Sequence, residues 1–126
     1  EQEIVLEADV TLKAAPKERL AEEVAELFRW RQEGTPFSQP CCGSVFKNPP
    51  GDHAARLIEE AGAKGRRLGF ASISTKHANF IVASDGATAA DVLSLIREVQ
   101  DLVAHRSGVR LEPEVHLLGD LDLASR

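Results

Sequence analysis

Apolar residues recur at every second position near the start of the chain. Ile4, Leu6, Ala8, Val10 and Leu12 share one side of a segment whose other side carries Glu7, Asp9 and Thr11, the pattern of a half-buried strand. No turn or hairpin partner precedes it, so it reads as the last strand of a sheet whose other members are missing from the chain. After Pro16, suited to a first helical turn, the period lengthens: Leu20, Val24, Leu27 and Phe28 predict a solvent-faced amphipathic helix to about Glu33. Gly34, Pro36, Pro40 and Gly43 then break regular structure, which predicts a long irregular stretch over 34–51. Asp52 is placed to cap a second helix carrying Ala54, Leu57, Ile58 and Ala61, with Gly62 ending it. Phe70 to Ser74 and Asn79 to Ser84 predict two strands joined through Lys76 and His77. Thr88 and Asp91 form a capping pair ahead of Val92, Leu95, Ile96, Val99, Leu102 and Val103, a stripe that stops before Gly108. Val109 to Leu118 predicts a final strand broken by Pro113. The order implies an α+β domain, helices packed on a small mixed β-sheet, preceded by one strand of another domain.

Composition narrows the function classes. A chain of 126 residues, 43% hydrophobic, is long enough to build a core without metal or disulfide staples. A formal charge of -5 argues against sequence-independent nucleic-acid binding, which needs a concentrated basic surface. No apolar run approaches the roughly 20 residues of a membrane span, and Glu1-Gln2-Glu3 is unlike a basic signal-peptide start, so a soluble, cytoplasmic protein is expected. The two cysteines, Cys41 and Cys42, are neighbours with Cα atoms about 3.8 Å apart, a poor geometry for a disulfide, which favours reduced thiols. His53, His77, His105 and His116 do not pair with cysteines or carboxylates at metal-ligand spacing, so no metal site is expected.

Three clusters can carry chemistry. Gly43-Ser44-Val45-Phe46-Lys47-Asn48-Pro49 offers a hydroxyl, an ammonium and a carboxamide on a constrained loop; alternatively Ser44 and Asn48 only make turn hydrogen bonds. Lys76, His77 and Asn79 can hold a diphosphate or a uracil edge, or simply form a solvated turn. Leu111-Glu112-Pro113-Glu114-Val115 can turn one carboxylate inward, where burial would suit it to proton handling, or leave both glutamates in water.

Together with Ala55-Arg56-Leu57-Ile58-Glu59, these motifs resemble, in order and spacing, the UDP-N-acetylenolpyruvoylglucosamine reductase family from Ile4 to Gly119. The compact Ser74 to Phe80 segment is similar to the family's shorter subtype. The resemblance implies reduction of the enolpyruvyl ether of UDP-N-acetylglucosamine to UDP-N-acetylmuramate for peptidoglycan, cell-wall growth and division, with FAD as hydride carrier and NADPH as reductant. It implies Ser44 as proton donor and Glu114 as catalytic carboxylate. Lys47 and Asn48 then line the nucleotide-sugar site, while His77 and Asn79 face the diphosphate and uridine. It divides the chain into residues 1–15, the terminal strand and linker of an FAD-binding domain, and residues 16–126, a substrate-binding domain. Two departures stand out. Gly34-Thr35-Pro36 occupies the place where the family often has a basic residue just before a Gln-Pro or Leu-Pro pair, and the family's glycine-rich flavin segments and Tyr-Arg motif are absent. The chain alone is therefore expected neither to hold FAD nor to turn over. A non-catalytic nucleotide-sugar module and a scaffold domain with polar loops are the alternatives.

Overall fold

The computed structural model describes residues 5–119. Seven elements follow in order: α1 (Lys17–Gly34), β1 (Cys41–Ser44), α2 (Ala54–Glu60), β2 (Arg67–Leu68), β3 (Ala71–Ile73), β4 (Phe80–Ala83) and α3 (Ala89–Ser107). The strands form one sheet in the order β1-β4-β3-β2. Every pairing is antiparallel, so the α+β class holds while the expected mixed sheet is corrected. β2–β3 and β3–β4 are joined by short chain reversals, and β1 meets β4 antiparallel after a longer connection through α2, β2 and β3.

The core lies between one sheet face and α2 and α3, with Ile58, Ile73, Ile81, Leu95, Ile96 and Val99 among its members. The long helix is fixed at both ends. Thr88 Oγ1 accepts from the Asp91 N–H while the Asp91 carboxylate accepts from the Thr88 N–H, and Gly108 closes the helix in the left-handed conformation. Gln100, mid-helix, donates to the Leu111 carbonyl at 2.8 Å and ties the returning chain to α3.

Four expectations need correction. Residues 5–12 form no strand, and Val5, Leu6, Val10 and Leu12 are exposed: their alternation meets no partner ladder among the described residues, and a strand needs one. Ile4 lies outside the described residues. The return Val109 to Leu118 is not a strand either. It makes a single bridge, Phe46 opposite Pro113, closed by Lys47 N–H to the Glu112 carbonyl and Glu114 N–H to the Val45 carbonyl. Proline, lacking an N–H, is tolerated at that non-bonded rung and stops the ladder there. Asp52 does not cap α2. The N-terminal residue is His53, and it is Asn48 Oδ1 that accepts from the Ala54 N–H, at 3.0 Å; Asp52 instead takes the His53 N–H and pairs with Arg56. Finally, the stretch 34–51 is not irregular throughout, since it contains β1.

α1 forms where its period predicts, but buries none of its residues; Val24, Leu27, Phe28 and Trp30 all face out. Lys76 Nζ reaches its last turn, donating to the Gln32 carbonyl at 3.3 Å.

Candidate functional site

The site is assembled by the edge strand β1. Cys41 lies opposite Val82 and Ser44 opposite Phe80, three steps along one strand against two along the other, so β1 carries a bulge. Gly43, with φ of +88°, supplies the left-handed residue such a bulge needs. The extra residue brings Ser44 round to the face that also carries Phe80, on the side of the sheet away from the core. There the end of α1 and the turn before β4 close an open cleft of about 550 Å³, lined by Trp30, Arg31, Glu33, Gly34, Thr35, Ser44, His77 and Phe80.

The turn is built locally. Ser74 is buried and its Oγ accepts from the N–H groups of Lys76 and His77, while Phe80 N–H donates to the His77 carbonyl. The His77 ring packs edge-on against Phe80, with centroids 4.8 Å apart. Its Nδ1 accepts from the Asn79 N–H at 3.2 Å, which leaves Nε2 as the free nitrogen. Burial pushes the imidazole pKa below its ordinary 6.5, with Lys64 acting in the same direction and Glu59 opposing. The neutral ring with its proton on Nε2 is thus the resting form. Together with Arg31, the hydroxyls of Ser44 and Thr35 and the Trp30 indole, it gives the cleft several hydrogen-bond donors beside aromatic side chains, with the Glu33 carboxylate as the opposing charge, a lining able to hold an oxygen-rich ligand.

The candidate residues divide into two groups. Ser44 and His77 line the cleft. Asn48 spends its side-chain oxygen on α2. Asn79 is buried, and its carboxamide is occupied on both sides: Oδ1 accepts from the Phe46 N–H at 2.9 Å and Nδ2 donates to the Phe46 carbonyl at 2.8 Å. Lys47 pairs with Glu112, both well exposed. Glu114 is exposed rather than turned inward at the proline bend, and its main chain is tied to Val45, the residue after Ser44. Three separate segments, 44–48, 76–79 and 112–114, therefore meet around Val45 and Phe46 without all their side chains sharing one surface. Arg31, Thr35 and Phe80 escaped sequence reasoning. The available signal was a cation in the last turn of a helix that stops at Gly34. Cys41 and Cys42 are free and exposed as residues, but the Cys42 thiol is partly covered, and that partial burial raises its pKa, which keeps it protonated and a poor nucleophile. Among the described residues no group of His, Cys, Asp and Glu could hold a metal ion.

A family model for the UDP-N-acetylenolpyruvoylglucosamine reductase C-terminal domain matches residues 35–118, which takes in Ser44, His77 and Glu114 alike. The chain belongs to that reductase family. It is 50% identical over 113 residues to UDP-N-acetylenolpyruvoylglucosamine reductase of Alkalilimnicola ehrlichii, covering 90% of this chain and 38% of the relative. With the enzyme of Methylococcus capsulatus the identity is 53% over 111 residues, covering 86% and 36%. The crystal structure of UDP-N-acetylenolpyruvylglucosamine reductase from Thermus caldophilus superimposes with a TM-score of 0.71 at 45% identity, covering 84% of this chain and 37% of that one. The chain thus spans under two fifths of the length of these reductases.

Proposed function

We propose that this chain provides the nucleotide-sugar-binding and proton-delivering part of an FAD-dependent, NADPH-using reduction of UDP-N-acetylenolpyruvoylglucosamine to UDP-N-acetylmuramate, in the cytoplasmic synthesis of peptidoglycan precursors. The observation that carries the reading is the Gly43 bulge, which presents the Ser44 hydroxyl to an open, donor-lined cleft within a segment matched to the family.

The residues described do not form a flavin cradle. No two of the nine glycines lie closer than three positions apart, so no glycine-rich loop can wrap a pyrophosphate, and the cleft itself is open. FAD and NADPH are assigned to other parts of a full-length reductase. What this chain supplies is acid catalysis. Reduction of the enolpyruvyl double bond ends with a proton delivered to the carbon that bears the carboxylate. Ser44 Oγ–H donates that proton and is reprotonated from water in the open cleft. Arg31 and the His77 Nε2–H hold the diphosphate, Lys47 borders the sugar, and Glu114 acts on the substrate carboxylate side as the enolic charge forms, while Asn48 holds the loop to the start of α2. No helix among the described residues is long and apolar enough to cross a membrane.

The test uses a reductase of full family length carrying these residues. Ser44→Ala should slow the substrate half-reaction by about 10² to 10⁴-fold, the usual share of a positioned general acid, and leave flavin reduction by NADPH unchanged. Ser44→Cys should retain part of the activity. Stopped-flow flavin absorbance separates the two half-reactions, and equal slowing of both would reject the proton-donor role.

A further inference from the structure

The Asn79 carboxamide does the work of a peptide unit. β4 begins at Phe80, and the chain before it bends away through the Ser74 to His77 turn, so the backbone of β4 has no further rung to offer β1 beyond Asn79. At that point Val45 N–H still finds the Asn79 carbonyl at 2.9 Å, but the next residue, Phe46, has both of its peptide groups facing the Asn79 side chain. An amide oxygen and an amide N–H reproduce the acceptor and donor that another strand residue would have presented. Phe46 is 1% exposed and Asn79 4% exposed, so water replaces neither bond.

From this the geometry points to Asn79 as a positioning residue for the reductase chemistry: its carboxamide locks the Phe46 peptide and thereby sets Ser44, two residues upstream, and Glu114, whose N–H is bonded to the Val45 carbonyl. The inference rests on the reductase reading above and replaces substrate contact by Asn79 with support from within the scaffold. What the carboxamide has left for a ligand is one amide hydrogen and one oxygen lone pair, both in a buried site. The bulge at Gly43 gives such support its place: beyond the left-handed kink, Ser44 is held by its pairing with Phe80 and by the residues that follow it.

A carboxylic acid is isosteric with a carboxamide and offers the same acceptor and donor pair when protonated, but two acceptors when ionised. The Asn79→Asp variant in a reductase of full family length therefore has a distinctive pH dependence. Once ionised, at neutral pH and above, the introduced carboxylate repels the Phe46 carbonyl, and kcat for the substrate half-reaction should fall by about 10²-fold, the scale of an ångström-size misplacement, with KM changed little. As the pH is lowered, the rate relative to the unsubstituted enzyme at the same pH should climb back. Hydrogen exchange at the Phe46 amide should follow it, fast at neutral pH and slow again on protonation. Asn79→Ala, which lacks both partners, should show the loss without the recovery.

A raised KM with kcat retained and the Phe46 amide still protected would overturn the proposal in favour of direct ligand contact. So would full Phe46 protection at all pH values, or protection that returns at low pH without the rate. If the unsubstituted enzyme shows no turnover, the reductase reading fails and the catalytic role of Asn79 with it, whereas the Phe46 exchange pattern still reports separately on whether the clamp exists.

Discussion

Two halves of one short motif do different jobs. Ser44 stands at the edge of an open cleft with no hydrogen bond from another described residue fixing its hydroxyl, while Phe46 and Asn48, two and four residues on, are committed to the interior and to the start of α2. Polar residue type does not tell them apart, since a serine and an asparagine in a glycine- and proline-rich stretch look equally suited to a ligand. Partners do. A hydroxyl with spare capacity facing solvent can act on a substrate, and an amide oxygen already bonded to a helix N–H is structural.

The comparison can be broken at each side. The largest separation is expected at Ser44, where the alanine variant should lose about 10² to 10⁴-fold in the substrate half-reaction yet unfold in urea within about 0.5 kcal/mol of the parent, as exposed positions usually do. A stability loss as large as the rate loss would mean that Ser44 belongs with the scaffold. Phe46→Ala should do the reverse, costing about 3 to 5 kcal/mol of stability through the cavity left by a 1%-exposed ring. Chemical denaturation with an unchanged slope would register it, and a loss under 1 kcal/mol would show that the motif's interior half is not packed as described.

Asn48→Ala removes the side-chain oxygen that accepts from the Ala54 N–H and should cost about 1 kcal/mol, typical of a lost helix cap. If instead stability is kept and UDP-sugar affinity drops, Asn48 moves to the ligand side of the comparison. The smallest effect concerns pH. Burial lowers the His77 pKa in the folded chain, whereas the unfolded chain takes up the proton near the ordinary 6.5. Its contribution to stability is therefore complete above pH 6.5 and is lost as the pH falls through 6.5 toward the lowered folded value. Thermal unfolding on either side of pH 6.5 should show a shallow decline on the acid side that His77→Gln reduces; an unaltered slope would place His77 in water.

How much was legible in the sequence varied with whether the signal was local. The long C-terminal helix was readable because Thr88, Asp91 and Gly108 mark its ends and the apolar period runs between them. α2 was readable in extent, but its cap was not, because Asn48 is six residues away and only the folded loop brings its oxygen to Ala54. β1 was invisible: Cys41-Cys42-Gly43-Ser44 has no alternation, and its strand character comes from pairing with β4, almost forty residues on. Residues 5–12 failed the other way, with alternation from Leu6 to Leu12 and no ladder to join among the described residues. At the site, Ser44 was legible from its motif, whereas Arg31 and Phe80 enter the cleft only through tertiary placement. Asn79 was visible as a polar residue in a turn, but no sequence pattern shows that its amide is already used up.

The bulge in β1 also bears on how the segment tolerates changes of length. Since it absorbs one residue between Cys41 and Ser44, counting in twos along the chain assigns Ser44 to the wrong side, while counting across the ladder from Val82 to Phe80 assigns it correctly. Loss of a single residue at Cys42 would restore an unbroken ladder and still leave Ser44 opposite Phe80. A replacement at Gly43 that irons out the kink at constant length would instead shift the register by one and turn the hydroxyl to the far face of the sheet, so that a chain one residue shorter can keep the site where a chain of the same length loses it.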